Sequence, residues 1–99
     1  MKYLIEVKGI EWDASGAGFA REFTSDYDGK VYDSLRSVAS DAVNIDPTDY
    51  VDDLLRDFSG VAGDIIVDIR DADSDDFITA ARVYVEFRDD GTPRITRRI

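Results

Sequence analysis

Apolar residues recur at every second position near both ends of this chain and at every third or fourth position in its middle, so the fold must combine strands with helices. Near the start Tyr3, Ile5 and Val7 alternate with Leu4, Glu6 and Lys8, the pattern of a strand with one buried face. Asp13-Ala14-Ser15-Gly16-Ala17-Gly18 is rich in turn formers, and beyond it Phe19, Arg21 and Phe23 alternate with Ala20, Glu22 and Thr24. A hairpin from about Lys2 to Thr24 is expected.

From Asp28 the period changes. Val31, Leu35, Val38 and Ala42 recur at helical spacing, while Asp33, Ser37 and Asp41 share another face. A second helix starts at Asp46-Pro47-Thr48-Asp49: Asp46 suits the N-cap, Pro47 the first helical position, and Asp49 the positive end of the helix dipole. Val51, Leu54, Leu55 and Phe58 supply its buried stripe, and Gly60 or Gly63 its stop. Alternation then returns from about Asp64 to Arg70, and again, after the polar turn Asp71-Ala72-Asp73-Ser74-Asp75-Asp76, from Phe77 to Arg88. In that longest strand Phe77, Thr79, Ala81, Val83, Val85 and Phe87 are expected on one face. Asp89-Asp90-Gly91 turns the chain into a weak last strand, Pro93 to Arg98, whose proline and arginines suit a sheet edge. The order β-β-α-α-β-β-β predicts one α+β domain over residues 1–99, an antiparallel sheet of about five strands with two helices packed on one face and the other face partly wet.

Aromatic positions divide in the same way. Tyr3, Phe19, Phe23, Phe58, Phe77 and Phe87 lie on apolar stripes and are expected in the core. Trp12, Tyr27, Tyr32, Tyr50 and Tyr84 fall at element ends or on outer faces, where they would serve as interface anchors or simply stay exposed for lack of depth.

The chain has no cysteine and no histidine. That removes disulfides, thiol nucleophiles, the commonest general base and the commonest transition-metal ligand together. Asp71, Asp73 and Asp75 match the opening of a calcium loop, but Asp76 stands where that loop needs glycine and Arg82 where it needs the bidentate glutamate. Gly16-Ala17-Gly18 is followed by Arg21 where a dinucleotide fingerprint needs its third glycine. No phosphate loop or nucleophile elbow occurs, so an enzyme, a resident metal and a cofactor are not expected. The longest apolar stretches are a few residues and the start reads as a strand, so a cytoplasmic protein with no membrane span is expected.

The formal charge of −10 is unevenly placed. Between Asp26 and Asp76 fifteen acids face four bases, Lys30, Arg36, Arg56 and Arg70, whereas from Phe77 onward three acids face five arginines. All the excess negative charge therefore belongs to the helical region and the turn after it. Asp49, Asp53 and Asp57 are spaced to line one side of the second helix with Asp52 beside them, and like charges at that spacing repel. Folding does not call for such a stripe. A solvated face or a generally acidic composition would account for it, and so would a basic partner. The residues singled out for that partner are Asp49, Asp52, Asp53 and Asp57, with Asp33 and Asp41 as outer support. Direct nucleic-acid binding is excluded by sign, since the cluster Arg94, Arg97 and Arg98 is short and close to the acidic bulk.

In length, composition and acidic helix pair the chain resembles the small inhibitors that phages and mobile elements use against host defence, the DNA-mimic antirestriction and anti-CRISPR proteins. The resemblance is one of size and charge, without a shared motif, and assigns no residue. It implies stoichiometric inhibition of a DNA- or RNA-binding enzyme by blocking its basic channel, the partner being a basic, nucleic-acid-binding protein. A second reading is a subunit that associates through the sheet edge near Arg94 to Arg98, its acids serving only solubility. Oligomeric state stays open at this level.

Overall fold

The computed structural model of the protein describes residues 1–56 and 60–98. Its elements are β1 (Tyr3–Trp12), β2 (Gly18–Glu22), α1 (Leu35–Val43), a 3-10 turn (Pro47–Tyr50) that runs into α2 (Val51–Arg56), β3 (Ala62–Asp71), β4 (Phe77–Phe87) and β5 (Pro93–Arg98). The strands form one sheet in the order β2-β1-β3-β4-β5, antiparallel at every step. The α+β architecture expected from the alternation is the one observed. Both helices connect β2 to β3, and the chain returns to place β3 between β1 and β4.

That position explains the run Ile65-Ile66-Val67. β3 is flanked by β1 and β4, whose side chains shield it on both faces, and Ala62 to Ile69 are all buried. On one side of the sheet Ile5 and Val7 of β1, Ile65, Val67 and Ile69 of β3, and Val83 and Val85 of β4 form a continuous apolar floor. Val38 of α1, Ile45, and Val51 and Leu54 of α2 close it from above. Each such side chain contributes roughly 1.5–3 kcal/mol on burial. Gly9 of β1 lies under the ring of Phe23, and a Cβ there would come within 2.7 Å of it. The ring in turn packs against Tyr50 at 5.4 Å between centroids, tying the 3-10 turn to the β1–β2 side.

The opposite side has no helix, yet Asp64, Ile66 and Asp68 are buried there by their neighbours on adjacent strands. Lys8 reaches Asp68 at 2.9 Å, and Arg70 reaches Asp68 at 3.4 Å and Asp75 at 2.9 Å. The indole N–H of Trp12 donates to Asp64 at 3.3 Å.

Four expectations need correction. The first helix does not begin near Asp28. Gly29 takes a left-handed φ of 77°, and Tyr32 exchanges two backbone hydrogen bonds of 2.8 Å with Tyr3, so the chain is held extended until Ser34 caps α1 by accepting from the Ser37 N–H. Val31 and Leu35 are therefore exposed, while Val38 and Ala42 turn inward as expected, with Ala39 beside them. Tyr32, expected outside, is buried at 5% exposure because that bridge lays it against Val38 and Ile5. Phe77, expected in the core, is exposed because a register shift after Ile69 sets it opposite Arg70, on the side without helices. Phe19, also expected in the core, is exposed on the outermost strand, opposite Glu11, beyond the reach of the helix layer. Asp57 and Phe58 lie outside the described residues, as does the side chain of Leu55.

Candidate acidic interface

Asp46 starts the acidic segment as its sequence suggests: its carboxylate accepts from the Thr48 N–H at 3.0 Å, with Pro47 at the first helical position. This fixes Asp49 and Tyr50 at the end of the 3-10 turn, and Asp52 and Asp53 in the first turn of α2. Asp49 and Asp52 are exposed. Asp53 is half-exposed, with Arg56 at 3.6 Å, too long and too wet a pair to cancel its charge.

A second set of acids approaches from the connection between β2 and α1. The carboxylate of Asp28 accepts from the Ser25 N–H at 2.9 Å, forming a tight turn that presents Asp26, Tyr27 and Asp28. Ser25, Asp26 and Tyr27 then line a shallow cleft of about 200 Å³ with Asn44, Ile45, Asp49 and Tyr50. Burial, followed by the fields of Asp28, Asp26, Asp49 and Asp53, holds the Tyr50 hydroxyl above its ordinary pKa. Four carboxylates from two separate segments thus bear on one half-buried aromatic ring.

The other acids singled out from sequence go elsewhere. Asp33 pairs with Lys2, and the contact lowers its pKa. Asp41 accepts from the Tyr32 hydroxyl and pairs with Lys30 at 3.2 Å; the tyrosine hydrogen bond, then Lys30, holds its carboxyl below the usual range. These two are each paired with a lysine of the chain itself and do not line the cleft with Asp49. Asp26 and Asp28, which do, were not singled out. Their signal was Ser25-Asp26-Tyr27-Asp28-Gly29, a turn sequence with two acids flanking an aromatic, but the helical stripe assigned from Asp28 masked it.

The turn carrying Asp71, Asp73 and Asp75 is wired as a turn. Asp71 accepts from the N–H groups of Asp73 and Ser74, which lowers its pKa, and Asp75 adopts a left-handed φ of 61° while holding Arg70. Among the described residues no three acids gather as a metal would need them. An apolar groove of about 430 Å³ runs between α1 and the uncovered part of β4, lined by Ala39, Ala42, Val43, Pro47, Thr79 and Ala81.

No protein-family model, curated protein or solved structure matches the chain. Its chemistry must be read from the geometry. Carboxylates beside an aromatic ring suit guanidinium and ammonium groups, which donate hydrogen bonds to the acids and stack on the ring. The chain provides an example beside the cleft: Lys30 Nζ lies 4.9 Å from the Tyr32 ring centre and 6.0 Å from that of Tyr27, while pairing with Asp41. Among the described residues no helix is long and apolar enough to cross a membrane.

Proposed function

We propose that this chain is a binding protein without catalytic activity, which engages a basic surface on another protein through Asp26, Asp28, Asp49 and Asp53 around Tyr50, with Asp52 alongside. The observation that supports the reading is the cleft that brings Asp26 of the β2–α1 connection and Asp49 of the 3-10 turn together beside Tyr50, with Asp28 and Asp53 nearby in the same two segments of the chain. Folding gains nothing from placing four like charges there, and a cationic partner would relieve their repulsion. In its most specific form the partner is a DNA- or RNA-binding defence complex, whose basic channel these carboxylates occupy in place of phosphates. Inhibition would then be stoichiometric, with one protein filling one channel.

The test is a tagged pull-down at low and moderate salt, made with the parent and with Asp26, Asp28, Asp49 and Asp53 all changed to Asn. The expected result is capture of a nucleic-acid-binding protein that added salt, a competing DNA duplex or the four substitutions each release. Capture indifferent to all three would sink the proposal and reduce the acids to a solvated face.

A further inference from the structure

The helices roof the sheet incompletely. Val38 of α1 packs over β1 and β3, and Leu54 of α2 packs over Val83 and Val85 in the second half of β4. Thr79 and Ala81 share that face in the first half of β4, opposite Ile69 and Val67, and they stay exposed. The groove of about 430 Å³ is the space left beside them, and it reaches down to Val67 and Ile69, at 2% and 5% exposure. Its walls are built of small side chains, Ala39 and Ala42 from α1 with Thr79 and Ala81 from β4. A leucine at any of these positions would fill part of the space and bury apolar surface, so core packing does not call for the opening. Its volume falls within the range of small-molecule sites, roughly 300–1,000 Å³, which are largely apolar with a few polar groups that fix orientation.

The charge of the groove selects the molecule. Among the described residues that line it, Asp46 alone is charged. Its half-buried carboxylate is fixed in place, because it caps the 3-10 turn by accepting from the Thr48 N–H at 3.0 Å. A carboxylate offers about four lone-pair sites, so a cap does not exhaust it. The surroundings carry the same sign, since the chain is −10 overall and its excess acid lies between Asp26 and Asp76. An anionic amphiphile such as a fatty acid is repelled from such a site, whereas an ammonium group gains a charge-assisted hydrogen bond in it.

We propose that this groove binds a small apolar amine, with its hydrocarbon body against Val67, Ile69 and Ala81 and its ammonium donating to the Asp46 carboxylate. Among the described residues the groove shares only Ile45 with the acidic cleft beside Tyr50, and the proposal does not depend on the role of that cleft.

The test compares three compounds with one hydrocarbon body, phenylbutylamine, phenylbutanol and phenylbutyrate, added to the full-length protein and followed by NMR at the alanine methyls. The amine is expected to shift Ala39, Ala42 and Ala81 and to bind about tenfold more tightly than the alcohol, with the carboxylate weakest. Ala81→Leu, at an exposed position, fills the groove from the sheet side and is expected to abolish binding of amine and alcohol alike. Asp46→Asn keeps the cap, because asparagine caps as well as aspartate, and is expected to leave the amine no tighter than the alcohol. Asp89→Asn makes the same change in net charge at the far end of β4 and is expected to leave the preference intact. No methyl shift at millimolar amine, binding indifferent to Ala81→Leu, or a preference that Asp89→Asn lowers as much as Asp46→Asn would overturn the proposal. So would shifts at Asp49 and Tyr50 with the three methyls unmoved, which would mean that the amine only collects on the acidic surface. Methyl shifts that follow protein concentration without any compound would assign the groove to a second copy instead.

Discussion

Asp68 is 2% exposed on the side of the sheet that has no helices, and its charge is tolerated there because Lys8 and Arg70 meet it from neighbouring positions. Both cations keep part of their side chains in water, so removing the acid leaves them able to rehydrate. Asp68→Ala is therefore expected to destabilise by about 1–3 kcal/mol in urea unfolding, rather than by the larger loss seen when a fully buried cation is stranded. A pH-dependent effect belongs to Tyr32 and Asp41. The carboxyl of Asp41 is held below its unfolded pKa of 3.8, first by the tyrosine hydroxyl and then by Lys30. A depressed acid stabilises above its unfolded value and loses that contribution as pH falls through its folded value. Tyr32→Phe removes the larger cause. The stability gap between parent and variant, measured by urea unfolding, is expected to narrow as pH falls from about 6 towards 3.

Among the elements, α1 and α2 are held by different forces. α1 has one fully buried residue, Val38, and depends on the Ser34 cap to hold its start, whereas α2 is six residues long and anchored by Leu54 at 0% exposure over Ile65, Val83 and Val85. Ser34→Ala is expected to cost about 1 kcal/mol. Leu54→Ala is expected to cost about 2–5 kcal/mol, and the two are separable by chemical denaturation. The strands were legible in the sequence because period-two alternation survives wherever one face is buried, as at Tyr3, Ile5 and Val7. The start of α1 was not, because Val31 and Leu35 fit a helical stripe that the Tyr3–Tyr32 bridge overrides, and no local preference encodes a contact with a strand twenty-nine residues earlier. Phe77 was misplaced for a related reason: alternation counts residues, and the register shift after Ile69 changes the count. The candidate site was half legible. Asp49, Asp52 and Asp53 followed from helix spacing, while Asp26 and Asp28 join them only through the tertiary fold.

For the whole molecule, a charge of −10 on 99 residues means that folding compresses like charges. Salt should relieve this more in the folded state than in the expanded chain. Raising sodium chloride from roughly 0.05 to 0.5 M is expected to lift the thermal midpoint by roughly 2–5 °C. Asp49→Asn with Asp53→Asn should raise the low-salt midpoint and shrink that response. A midpoint unmoved by salt would mean that the acids are already balanced within the fold.

The central place of β3 also governs when the protein can form. β1 meets it along its full length, Trp12 with Ala62 and Tyr3 with Asp71, so β1 waits for partners synthesised at least fifty residues later. Until then β1 has only the short strand β2 beside it, and a lone hairpin is marginal in water. Acquisition of structure is therefore deferred until β3 is made and is dominated by distant pairings, which slow folding. The aspartates between β2 and β3 carry like charge in the waiting chain too, and such repulsion keeps an unfolded chain expanded and apart from its neighbours while it is most prone to aggregate.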